Sequence, residues 1–381
     1  MSNASRRYDL VYRIGRALLV APFVRYLGFR SQPVGDIQPP YLVVANHTMD
    51  LDFTFLVRAF PRLMHFVLGD TVLQYKLLRG LINGLHNPVP LSKGGTDMRA
   101  VLSILHRLRK GENICLFAEG HTCFDGVTGP IPRGTATLAR SSGATLVTYR
   151  VGGGYFTAPR WGRGFRRGRT WGEVAGVYGP EQLKAMTDAQ IATLLARDLY
   201  IDAAQEQQTN PVPYRGRRPA EGLENALYLC PHCRAFDSLR GEGSQLRCTA
   251  CGTQAVYTPL GALEGAFGHS QIRDWVVWQR QALHGMMAEA GFALSDEGQT
   301  LRRVQEDHSV VEVARGTLRM DSRGIRVGEW FLPMEELRGV AIFRKNRLLL
   351  TDAQGLRYDF ASDHVRSALK YKDMFELLKE E

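Results

Sequence analysis

The chain has 381 residues, 44% hydrophobic and 23% charged, an ordinary globular composition with enough length for more than one core. Its formal net charge of +10 points to an anionic partner: a membrane surface, a nucleic acid or a phosphorylated substrate. No apolar run approaches the ~18–20 residues a spanning helix needs. The run 17–24 is broken by Pro22 and flanked by Arg16 and Arg25, which also argues against a secretory signal.

Residues 1–38 are expected to form an N-terminal, membrane-interface helical segment. Leu10, Val11, Ile14 and Leu18 fall on one stripe with Arg13 and Arg16 beside it. The same periodicity also suits a helix packed on its own domain. Over 39–205, short apolar runs alternate with helical patterns, which predicts an α/β domain with a largely parallel sheet. Strands are expected at 41–45, 114–117, 145–150 and 173–178. Helices are expected at 53–60, 97–109, 134–141 and 187–203. Arg160, Arg163, Arg166, Arg167 and Arg169, interleaved with Trp161, Phe165 and Trp171, suit either a solvated face or docking on anionic lipid.

The stretch 206–224 lacks periodicity and reads as a linker. A zinc ribbon is predicted over 225–256, a helical connector carrying Trp275 and Trp278 over 257–299, and a small mostly-β domain with a C-terminal helix over 300–381.

Two short segments carry the chemistry. Asn46-His47 follows the first predicted strand and Asp52 comes five residues after His47. Phe117-Ala118-Glu119-Gly120 ends the second strand. On one helix His47 and Asp52 would point roughly 140° apart. They can meet if His47 lies in the loop leaving the strand and Asp52 in the first turn of the next helix. The imidazole could then take a proton from a hydroxyl, with Asp52 fixing its tautomer. Asp50 and Asp52 could instead be helix N-caps.

The order of these segments resembles the glycerolipid acyltransferase family. Asn46, His47 and Asp52 match its first motif, 84–93 looks like its second, and Phe117, Glu119 and Gly120 match its third. Residues 131–134 through 146–147 are similar to the approach to its fourth. The resemblance covers about 10–205. It implies that His47 is the general base and Asp52 its partner, and that the attacking hydroxyl belongs to a lysophospholipid, by default 1-acyl-glycerol 3-phosphate. The acyl donor would be acyl-CoA or acyl carrier protein. Glu119, Gly120, Lys93 and Arg133 would bind the acceptor. The chain departs from the family where Thr-Arg-Ser commonly follows Glu-Gly: here stand His121, Thr122 and Cys123. Lys93 stands where arginine is usual, and Thr148 or Tyr149 where proline is. Arg133 and Arg150 could restore the missing charge, or the acceptor differs.

Of six cysteines, Cys230, Cys233, Cys248 and Cys251 form two Cys-x-x-Cys pairs separated by 14 residues. That spacing predicts a structural, four-thiolate zinc site, with His232 outside the ligand set and Cys115 and Cys123 structural. Arg234, Arg240 and Arg247 are partly balanced by Asp237 and Glu242, which argues against a nucleic-acid partner. The last ~80 residues are similar to pleckstrin-homology-like domains, which implies a lipid or protein ligand. The expected protein is an acyltransferase, cytoplasmic and peripheral on the membrane. The alternative is a degenerate acyltransferase that binds lipid or a partner through its ribbon and tail.

Overall fold

The computed structural model describes residues 3–69, 88–91, 98–305 and 309–380, and it divides into two compact units. One unit runs to Arg160 and resumes over Gly164–Gly216; the other takes Trp161–Arg163 and the chain from Arg217 onward.

The first unit is built on seven strands: β1 (Phe29–Ser31), β2 (Tyr41–Ala45), β3 (Met64–Gly69), β4 (Val89–Leu91), β5 (Asn113–Phe117), β6 (Thr145–Gly152) and β7 (Thr170–Tyr178). Their order is β1-β7-β6-β2-β5-β3-β4, parallel throughout except between β6 and β7. The central strands are apolar on both faces because both are covered. Leu42, Val44, Ile114 and Leu146 pack under helices Met98–Arg109, Gly134–Ser141 and Asp188–Leu199, through Ile104, Ala139 and Leu195. Val43, Cys115, Val147 and Tyr149 pack on the other side against Phe55 and Leu56 of helix Asp52–Ala59. Strands β1, β3 and β4 escape the sequence reading; β1 and β4 have three residues each, and β3 carries the buried His65.

The N-terminal segment begins as helix Asn3–Gly15, widens into a π turn over Arg16–Val20 and ends as helix Ala21–Tyr26. Pro22 has no N–H to offer the preceding turn, so α-helical bonding cannot pass through it unbroken. Both readings of this helix have a physical basis. Tyr12, Val24 and Leu27 are buried in the unit, and the Tyr12 hydroxyl donates to Phe60 O (3.2 Å). Arg16 caps helix Asp52–Ala59 by donating to Val57 O and Arg58 O, so it faces protein. Leu10, Ile14, Leu18 and Leu19 stay exposed, Leu18 at 70%.

The arginine cluster divides likewise. Arg160, Trp161 and Arg166 are buried, whereas Arg163, Phe165, Arg167 and Arg169 are exposed. Phe165 meets Phe23 edge-on and Arg167 lies over Tyr26, so this exposed part adjoins the N-terminal segment. Residues 206–224 are not a bare linker. Helix Ala203–Thr209 is capped by Asp202, Tyr214 is buried, and Arg215 bridges to Arg167.

The second unit opens with a four-stranded antiparallel meander, β8 (Leu239–Glu242), β9 (Gln245–Cys248), β10 (Gln254–Tyr257) and β11 (Leu263–Gly265). Helix Ile272–Met287 follows. A seven-stranded antiparallel sheet completes it: β12 (Leu294–Val304), β13 (Val310–Asp321), β14 (Gly324–Val327), β15 (Trp330–Pro333), β16 (Leu337–Phe343), β17 (Arg347–Asp352) and β18 (Arg357–Ser362). Its order is β15-β14-β13-β12-β18-β17-β16, and helix Leu369–Glu380 ends the chain. The stretch 257–299 therefore contains β11 and half of β12 besides its helix.

Candidate active site and metal centre

Strands β2 and β5 run parallel in register, Leu42 opposite Ile114 and Ala45 opposite Phe117. They release Asn46-His47 and Ala118-Glu119 at the same level, at the carboxyl end of the sheet where α/β proteins place ligands. Asn46 extends the sheet by one side chain: its amide donates to Val151 O (2.9 Å) and its carbonyl accepts from Val151 N (2.8 Å).

His47 then turns out of the sheet and stacks on Phe117, the ring centroids 4.3 Å apart. Its Nδ1 lies 3.0 Å from Asp52 Oδ2. Asp52 is the first residue of its helix and is fully buried. Its carboxylate also accepts from Thr48 N (2.5 Å), Met49 N (3.0 Å) and Thr48 Oγ1 (2.9 Å). Asp52 therefore shapes the 47–52 turn and orients the imidazole at once. A carboxylate only accepts, so the proton of this contact sits on Nδ1 and Nε2 carries the free lone pair. Asp50 is exposed, and the helix cap position falls on Leu51, so Asp50 is not the cap.

Glu119 is buried with both oxygens engaged. Oε1 accepts from His47 N and Oε2 from Gly129 N, each at 2.7 Å. Burial pushes its carboxyl up to about 7, against the lowering effect of these two N–H groups. Its bonds tie the His47 loop to the 120–129 loop. Gly120 takes a left-handed turn, φ +69°, directly after it. Arg133 is exposed just ahead of helix Gly134–Ser141 and makes no hydrogen bond or ion pair with His47, Asp52 or Glu119. Lys93 and most of the second motif lie outside the described residues. Arg150 is taken by Glu173, 2.5 Å away, and supplies no free charge here.

Two contributors were missed in the sequence. Gly154 packs on the dyad: a Cβ there would lie 2.0 Å from Thr48 Oγ1 and 3.2 Å from Asp52 Oδ1. The signal was the run Gly152-Gly153-Gly154 just after the strand expected at 145–150. Arg160, part of the cluster expected as a solvated face or a lipid-docking surface, is buried instead. It donates to Thr122 O (2.8 Å) and lies 4.4 Å over Phe124, while Thr122 Oγ1 donates to Asp50. Burial pulls its guanidinium down to about 10, opposed by Asp50. It brings a cation to the 121–124 loop, where the sequence has no arginine.

In the second unit the four cysteine sulfurs lie within 4.8 Å of one another. Cys230 Sγ is 3.9 Å from Cys251 Sγ, and Cys233 Sγ is 3.7 Å from Cys248 Sγ. Four thiolates at 2.3 Å from a tetrahedral zinc would stand ~3.8 Å apart, so the donor set fits that ion. The two knuckles repeat one backbone pattern. Arg234 N donates to Cys230 O and Gly252 N to Cys248 O, each donor with positive φ (59° and 78°). Cys230 N donates to Ala235 O and Cys248 N to Thr253 O. His232 is exposed and outside the cluster. Cys115 and Cys123 are buried, and burial pushes both thiols up.

Residues 29–152 match the acyltransferase family model, a span from β1 through β6 that contains His47, Asp52 and Glu119. The chain carries an acyltransferase domain and is an acyltransferase enzyme. Among solved structures, the 1-acyl-sn-glycerophosphate (LPA) acyltransferase PlsC from Thermotoga maritima is similar at 17% identity and TM-score 0.41, covering 50% of this chain and 78% of that one. The N-terminal PH domain of human ARAP2 is similar at 14% identity and TM-score 0.18, covering 24% of this chain and 81% of that one. Comparison with curated proteins returns no match.

Proposed function

We propose that the enzyme transfers an acyl group from a thioester, acyl-CoA or acyl carrier protein, to the hydroxyl of a lysophospholipid, with 1-acyl-glycerol 3-phosphate the default acceptor. The observation that carries this reading is the 3.0 Å contact of His47 Nδ1 with a fully buried Asp52 at the end of a parallel sheet. His47 Nε2 takes the acceptor's hydroxyl proton as its oxygen attacks the thioester carbonyl. The tetrahedral intermediate then collapses, the C–S bond breaks, and the imidazolium returns the proton to the leaving thiolate. Asp52 holds the tautomer and offsets the imidazolium charge. Glu119 positions the His47 backbone, and Arg160 supplies positive charge beside the 121–124 loop.

A membrane-surface location is supported by the exposed Leu10, Ile14, Leu18 and Leu19, with Phe165 and Arg167 adjoining their segment. The four thiolates would hold a structural zinc, whose chemistry is to neutralise and cross-link the two knuckles. The tail sheet is proposed to bind a lipid head group or a protein.

The test uses the purified full chain with labelled acyl-CoA or acyl carrier protein and a panel of lysolipids. Transfer to at least one lysolipid, abolished by His47→Ala with metal content unchanged, is expected. Absence of transfer to every acceptor from either donor would overturn the reading.

A further inference from the structure

A cavity of about 230 Å³ opens in the first unit, beyond the 152–154 turn that packs on the dyad. Its aromatic wall is made by Trp171, Tyr214 and Phe156, and its polar wall includes Arg169 and Glu206. Three glycines make this wall possible. A Cβ on Gly152 would lie 2.3 Å from the Trp171 indole, one on Gly168 2.2 Å from the Tyr214 ring, and one on Gly153 2.7 Å from the Tyr214 hydroxyl. That hydroxyl donates to Arg169 O (2.6 Å), which fixes the ring.

The two charged groups on the polar wall have no direct side-chain partner among the described residues. Glu173, also in the lining, is already paired with Arg150. Neither the Arg169 guanidinium nor the Glu206 carboxylate makes a hydrogen bond or ion pair with a described residue, although Glu206 lies in the fields of Arg150 and, more weakly, Arg169. Burial pushes the Glu206 carboxyl up to about 7, so a cation at this place would stabilise its charged form. A lone anion would meet Glu206 and a lone cation would meet Arg169, each with repulsion. A ligand carrying both charges satisfies both groups. An ammonium beside the Trp171 indole would also gain a cation–π contribution.

We propose that this cavity is a second ligand site, taking a small zwitterion whose ammonium lies against Glu206 and the aromatic wall and whose phosphate or carboxylate lies against Arg169. The ligand is either the zwitterionic head group of a lipid or a free small molecule of the same chemistry. The proposal does not depend on the acyl-transfer reading, because it is tested by binding.

The experiment is calorimetric titration of the full chain with O-phosphoethanolamine, ethanolamine and inorganic phosphate in turn. The zwitterion is expected to bind at least about tenfold more tightly than either half, and Glu206→Gln and Arg169→Gln each to weaken it about tenfold. Arg169 is exposed, so its variant tests the site without disturbing a core. In a second arm, vesicles with lysophosphatidylethanolamine are compared with vesicles containing lysophosphatidate. Retention on the former that O-phosphoethanolamine displaces identifies a head group; binding of the free zwitterion alone identifies a small molecule. The proposal is overturned if phosphate or ethanolamine binds as well as the zwitterion, if both variants bind like the parent, or if none of the probes binds.

Discussion

The backbone N–H of His47 donates to Glu119 Oε1 at 2.7 Å, so a carboxylate 72 residues away holds the loop that carries the imidazole. The other oxygen accepts from Gly129 N, which makes Glu119 a clasp between two loops. Glu119→Gln leaves one of these N–H groups facing an amide NH₂. The expected cost is about 1–3 kcal/mol of stability, together with a fall in kcat from the displaced imidazole. Thermal unfolding alongside transfer kinetics checks both. Unchanged kcat with reduced stability would remove the link from Glu119 to His47.

Asp52→Asn keeps the shape of the dyad but cannot accept from Thr48 N, Met49 N, Thr48 Oγ1 and His47 Nδ1 together. The amide also favours the wrong imidazole tautomer. A drop in kcat of roughly a thousandfold is expected, with KM for the thioester little changed. A KM effect at constant kcat would contradict the orienting role.

Gly154→Ala probes the same turn from the far side. The new methyl must displace Thr48 Oγ1, which breaks the Thr48–Asp52 bond. Activity should fall about tenfold or more, and Thr48→Ala in the same chain should recover part of it by removing the blocking hydroxyl. Additive losses in the double variant would show that the two residues act separately.

How much of this was legible follows from chain distance. His47 and Asp52 are five residues apart and meet within one turn, so their pairing could be posed from spacing alone. The clasp from Glu119 to His47, and the contact of Gly154 with Thr48, depend on which strand ends lie side by side. Strand β12 was hidden for a different reason. Its inward positions include Asp296 and Gln299, both buried, so the apolar alternation fails. Each is satisfied from elsewhere in the chain: Asp296 by Lys370 Nζ and the Tyr371 hydroxyl, Gln299 by Ser362 and Arg366. The cysteine pairs were legible because their spacing alone limits which atoms can meet.

Loss of metal should unfold the ribbon and reach the C-terminal helix. Asp237 lies between the two knuckles and accepts from Lys370 Nζ and from Ser367 N (2.9 Å). Lys370 is buried, so freeing Asp237 leaves its ammonium with Asp296 as its one carboxylate partner among the described residues. One zinc per chain is expected by elemental analysis. A strong chelator should increase amide exchange in both 225–256 and 367–373. Exchange confined to the ribbon would show that the helix holds without it.

The Glu119 carboxyl gives stability a defined pH dependence. Its folded value, about 7, lies above its ordinary 4.5 because burial disfavours the charge. The folded state therefore binds the proton more tightly than the unfolded chain between these values. The stabilisation is fully present below about 4.5 and is lost as pH rises through about 7, a swing of up to about 3 kcal/mol. Glu119→Gln removes this titration. The stability difference between parent and variant should therefore shrink across that window, measured by denaturant unfolding at a series of pH values. A difference that grows with pH would mean that the two N–H bonds outweigh burial and that the carboxylate is the preferred folded form.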